Sequence, residues 1–102
     1  MTHHVVDASL SSRPIILVVE DDALLRFMTA DFLRDCGLRV LEAANADEAV
    51  GLLQTTSQIC AVFTDIQMPG TMDGLGLARW ISSERPKIRV LLTSGNAKVL
   101  GR

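Results

Sequence analysis

The chain has 102 residues, of which 48% are hydrophobic and 22% charged, with a formal net charge of −2. That length accommodates one domain with a single modest core, and the balance of apolar to charged residues is that of a folded α/β protein rather than a disordered chain. The 10 Lys and Arg residues are spread along the sequence and form no basic stripe, which argues against direct nucleic-acid binding. No run approaches the ~18 apolar residues of a membrane span, and no basic-then-apolar leader opens the chain, so neither insertion nor export is expected. The 2 cysteines, Cys36 and Cys60, sit in apolar contexts without metal-ligand spacing. They are predicted to be small buried thiols in a reducing cytoplasm, not a disulfide or a zinc site.

Residues 1–13 mix Thr, His, Asp and Ser without a sustained period and read as a flexible arm in which His3 and His4 carry no metal; the domain proper is residues 14–102. From Pro14 the pattern sharpens into Ile15, Ile16, Leu17, Val18 and Val19, an unalternating apolar run of the kind covered on both faces of a sheet. It ends in Glu20, Asp21 and Asp22, the last of which is suited to cap a helix. Leu25, Met28, Phe32 and Cys36 then recur at helical spacing and predict the inward face of a first helix, with Gly37 placed to terminate it.

A second strand is expected over residues 38–43, followed by Asn45 and Glu48 spaced as a capping pair ahead of a helix bearing Ala46, Ala49, Val50 and Leu53. Residues 60–64 form a third buried strand that delivers Asp65 into a loop containing Pro69, Gly70 and Gly74. Asp73 can cap a third helix with Leu77, Ala78 and Ile81 facing inward, and residues 88–93 read as a fourth strand. Strands alternating with helices at this spacing imply right-handed βαβ units, and hence a doubly wound parallel sheet with helices on both faces.

In such sheets ligands bind beyond the carboxyl ends of the strands. There the first strand delivers Glu20 and Asp21, the third Asp65, and the fourth Thr93 and Ser94. Crowded carboxylates repel unless a cation joins them, and an all-oxygen set selects a hard ion such as Mg²⁺. Magnesium tolerates one or two carboxylates alongside phosphate oxygens, so the set suits a site where Glu20 and Asp21 hold the ion. Asp65, which must be reachable from solvent, attacks phosphorus to form an acyl phosphate, and a hydroxyl from Ser94 or Thr93 bonds the new phosphate. An aspartyl phosphatase would be expected to carry a second acid two residues after its nucleophile, where this chain has Gln67.

The motifs Val18-Val19-Glu20-Asp21-Asp22, Thr64-Asp65-Ile66-Gln67-Met68-Pro69, Met72-Asp73-Gly74 and Leu92-Thr93-Ser94-Gly95 together resemble a bacterial two-component response-regulator receiver domain of the CheY-like superfamily, over about residues 15–96. The resemblance implies a flavodoxin-like sheet of strand order 2-1-3-4, with the fifth strand and last helix of the family missing from this chain. It implies Asp65 as phosphoacceptor, Asp21 as direct Mg²⁺ ligand, Glu20 as a ligand through water, and the backbone carbonyl of Gln67 as a further ligand. Counting through the strand favours Ser94 over Thr93 as the switch hydroxyl. The family's phosphate-contacting lysine has no counterpart, because Lys98 follows the fourth strand almost at once.

The implied function is that of a cytoplasmic phosphorelay module, not a turnover enzyme, phosphorylated by a histidine kinase or histidine phosphotransfer protein. The alternative is a receiver-shaped interaction module that is never phosphorylated. An unpaired fourth strand carrying Val90, Leu91 and Leu92 also predicts self-association through that edge.

Overall fold

In the computed structural model, which describes residues 13–93, the predicted alternation appears as β1 (Ile15–Val19), α1 (Ala23–Asp35), β2 (Arg39–Ala43), α2 (Ala46–Thr55), β3 (Ile59–Asp65), α3 (Gly74–Glu84) and β4 (Arg89–Thr93). All strand pairs are parallel and the order is β2-β1-β3-β4, as the resemblance implied. The arm over residues 1–12 and the segment after Thr93, which includes Ser94 and Lys98, lie outside the described residues.

The helix boundaries follow from local hydrogen bonding. The Asp22 carboxylate accepts from the Leu24 and Leu25 amides at 3.0 Å, satisfying donors that the first turn of α1 leaves open. Asn45 accepts from Glu48 N at 2.9 Å, and the Glu48 carboxylate reaches back to Ala44 N at 2.7 Å. Asp73 accepts from Gly76 N at 2.8 Å. At the far end of α1, Gly37 takes a φ of 90°. It donates to Arg34 O while Leu38 donates to Leu33 O, the paired bonds of a Schellman turn.

Strand parity decides which residues meet. Ile15, Leu17 and Val19 face α2 and α3, where they join Ala43, Ala49, Leu53, Val62, Leu77 and Ile81 in the main core. Val18 and Val40 face α1 and pack with Ala30 in a much smaller cluster. This corrects the expected inward face of α1. Leu25 is half-buried, but Met28 and Phe32 are 56% and 66% exposed, and the helix instead turns Ala30 and Leu33 to the sheet. The small Ala30 side chain lets the helix lie close to Val18 and Val40, leaving the large apolar residues on its outer side.

The burial expected of both cysteines is also corrected, since Cys36 and Cys60 are exposed. Cys36 caps the solvent end of α1. Cys60 is skipped by the β1–β3 ladder, which passes from the Ile15–Ile59 pair to Ile16–Ala61, and such an extra residue is displaced from the sheet surface. No helix among the described residues is long and apolar enough to cross a membrane.

Candidate functional site

The β1–β3 register pairs Val19 with Thr64, so the residues one step further along, Glu20 and Asp65, emerge side by side at the carboxyl edge. Glu20 N still donates to Ala43 O at 3.1 Å, extending the ladder, and the Glu20 carboxylate accepts from Asp22 N at 3.0 Å. Those bonds turn the chain sharply after β1 and leave Glu20 buried and Asp21 exposed. Carboxylate oxygens of Glu20, Asp21 and Asp65 all lie within 4.8 Å of one another. The predicted convergence of acids is therefore present, and it is the one such cluster of potential metal ligands among the described residues.

Unit charges at that spacing repel by about 1 kcal/mol in bulk water and ~3 to 4 kcal/mol at an effective dielectric constant of about 20. A divalent cation reverses the sign. The donor set is all oxygen and anionic, and it fits Mg²⁺ or a similar hard ion far better than zinc or copper, which favour nitrogen and sulfur.

Asp65 itself is only 2% exposed. It does not stand open on the surface, as the sequence reading required, but lines a cleft with Glu20, Thr29, Phe63, Thr64 and Thr93. The cleft measures about 40 Å³, which is room for a few water molecules. Thr93 is the ladder partner of Asp65. Its carbonyl accepts from Ile66 N at 2.9 Å, and its hydroxyl approaches Thr64 O at 3.4 Å. Gln67 lies in the loop after β3 with its side chain exposed.

Two residues of α1 that sequence reasoning missed also belong to this region. Thr29 lines the cleft, and Arg26 donates from Nη1 to Glu20 O at 2.8 Å. Neither carries a signal in its spacing. Each is brought to the site by the packing of α1 against β1, which no local pattern encodes. Gly74, expected only in a loop, is in fact the first residue of α3 and donates from its backbone N to Ile66 O at 2.7 Å, directly behind the acidic cluster.

Comparison with known proteins agrees with the fold. The family model described as response regulator receiver domain matches residues 16–100. A probable transcriptional regulatory protein of Picosynechococcus is 32% identical over 97% of this chain, which spans 41% of that relative's length. Among solved structures, a response regulator receiver protein from Pseudomonas putida superposes with a TM-score of 0.75 at 29% identity, covering 86% of this chain and 75% of that one. The response regulator TrrA from Thermotoga maritima, in complex with Mg²⁺ and BeF, gives a TM-score of 0.74 at 28% identity over 79% of this chain and 69% of that one.

Proposed function

Since the chain belongs to the response regulator receiver domain family, a signalling fold, we propose that it acts as a phosphoacceptor in a two-component phosphorelay, with Asp65 taking the phosphoryl group. The observation that carries the reading is the meeting of Glu20, Asp21 and Asp65 from the ends of two adjacent parallel strands. A carboxylate oxygen of Asp65 attacks phosphorus, an acyl phosphate bond forms, and the bond from phosphorus to the donor's imidazole nitrogen breaks. Bound Mg²⁺ would offset the negative charge shared by the carboxylates and the phosphoryl oxygens. Asp21 would hold it directly, Glu20 through water, and Gln67 through its backbone carbonyl. Thr93 or Ser94 would supply the hydroxyl that bonds the phosphate, with Ser94 the better placed by counting.

The donor in this reading is a histidine kinase or histidine phosphotransfer protein, and the setting is cytoplasmic. A surface for such a partner is available on α1, where Leu24, Phe27 and Met28 form an exposed apolar strip that begins just past the acidic turn. No further catalytic turnover is part of the proposal. The test is incubation with acetyl phosphate and Mg²⁺ followed by intact-mass measurement. The wild type should gain one phosphoryl group, and Asp65→Asn or removal of Mg²⁺ with a chelator should abolish the gain.

The burial of Asp65 favours one competing reading, a receiver-shaped interaction module that is not phosphorylated. Absence of any mass gain in the wild type under conditions that phosphorylate a control receiver would select it.

Self-association through β4 is the second part of the proposal. Among the described residues β4 has a neighbour on one side only, and Leu91 is 62% exposed on the face that α1 leaves open. Sedimentation should show concentration-dependent association that Leu91→Lys weakens. A wild type that stays monomeric at high concentration counts against it.

A further inference from the structure

We infer that Arg26 is a positioning residue for the cation site, holding the acidic turn in the shape that lets Glu20 and Asp21 meet Asp65. The inference rests on the phosphoacceptor reading only in that it needs the acidic cluster to bind a divalent ion. Arg26 projects from the first turns of α1 and donates from Nη1 to the backbone carbonyl of Glu20 at 2.8 Å. The same guanidinium lies with its Nε 3.6 Å from the Glu42 carboxylate on β2.

Glu42 is itself held by Arg34, whose Nη1 lies at 3.1 Å, while Arg34 Nη2 donates to Val40 O at 2.9 Å. The result is a brace running from β2 through Glu42 to Arg26 and on to the peptide that joins Glu20 to Asp21. Arg26 is well suited to it, because a planar guanidinium with several fixed donors can serve a carbonyl and a carboxylate together. A lysine ammonium in its place can reach one of the two well, but not both in the same geometry.

Arg26 touches the backbone of a ligand residue and not, by this contact, the carboxylates that would bind the ion. Its effect therefore runs through Glu20, which is also restrained by the Glu20 N to Ala43 O bond and the Asp22 N to Glu20 Oε2 bond, among others. Removing the brace leaves the carbonyl of Glu20 without this donor and allows the peptide to rotate. The adjoining carboxylates then lose the mutual placement seen within 4.8 Å. Outer partners that orient ligands commonly change metal affinity by roughly ten-fold or more.

The sign of the effect separates positioning from charge. If Arg26 mattered only as a positive charge beside a cation site, its removal would relieve repulsion and tighten Mg²⁺ binding. If it positions the turn, removal weakens binding although a repelling charge has gone.

Isothermal titration with Mg²⁺ on the full chain measures this without reference to phosphorylation, and circular dichroism confirms that each variant is folded. We expect Arg26→Ala to raise the dissociation constant about ten-fold, Arg26→Lys to recover part of the loss, and Glu42→Gln to weaken binding in the same direction by a smaller factor. The two sites should be non-additive in a double-mutant cycle, because they act through one contact. Unchanged or tighter binding in Arg26→Ala, beside normal binding in the wild type, overturns the inference and leaves the phosphoacceptor reading intact. Should Arg26→Ala fail to fold, unaltered affinity in both Arg26→Lys and Glu42→Gln overturns it equally. A wild type that binds no Mg²⁺ removes the phosphoacceptor reading and this inference together.

Discussion

Gly74→Ala is expected to destabilise the fold by about 3 kcal/mol or more, although alanine is the better helix former. A Cβ at position 74 would stand 1.8 Å from Asp65 O, 2.7 Å from Asp65 C and 2.8 Å from the Ile66 Cα. All three are backbone atoms of the end of β3 and the peptide that follows, so no side-chain rotation relieves the overlap. Either α3 withdraws from the sheet or the end of β3 retreats, and both displace the backbone that carries Asp65. Two opposing magnitudes decide the sign. Helix propensity favours alanine over glycine by at most about 1 kcal/mol, whereas a backbone overlap of this depth exceeds the usual overpacking range of ~1 to 3 kcal/mol. The matched control is Gly51→Ala in α2, where an added Cβ meets nothing within 4 Å. It should stabilise the protein by about 0.5 to 1 kcal/mol. Urea unfolding of the two variants checks both signs. Equal stability of Gly74→Ala and wild type would mean that α3 does not abut Asp65 as described.

What the sequence made legible was whatever depends on neighbours along the chain or on the order of elements. Asp22, Asn45 and Asp73 announce helix starts because each bonds an amide two or three residues onward. Glu20, Asp21 and Asp65 announce a site because parallel βαβ topology sends successive strand ends to one edge. Sidedness was less legible. The spacing of Leu25, Met28, Phe32 and Cys36 is truly helical, yet periodicity cannot say which stripe of a helix meets the sheet when a second stripe, through Ala30 and Leu33, also exists. Cys60 was misjudged because a register shift between adjacent strands leaves no trace in either strand's composition. Arg26, Thr29 and Gly74 were missed for a common reason: each matters through neighbours that lie outside its own element's pattern.

The unequal division of the core between the two faces leads to a second large effect, and one that runs against side-chain size. Leu53→Ala is expected to cost about 2 to 5 kcal/mol, whereas Phe32→Ala, which deletes more carbon, should change stability by no more than ~0.5 kcal/mol. Leu53 is 0% exposed and belongs to the main core, where α2 and α3 close over Leu17, Val62, Leu77 and Ile81. Its own carbonyl accepts from Arg85 at the end of α3, so the helices are tied together at the position where the cavity would open. The surrounding backbone has little freedom to collapse into the space, and residual cavity volume is what raises the cost of such truncations. Phe32 is 66% exposed on the outer side of α1, where most of its surface already meets water in the folded state. For a domain of this size total stability is of the order of 4 to 12 kcal/mol, so Leu53→Ala should lower the urea midpoint by a large fraction or leave the chain unfolded at room temperature. Comparable losses in the two variants would show that the outer stripe of α1 is covered in solution, by a second copy or by residues beyond Thr93. The β4 edge and the α1 strip would then have to be read as parts of one buried surface.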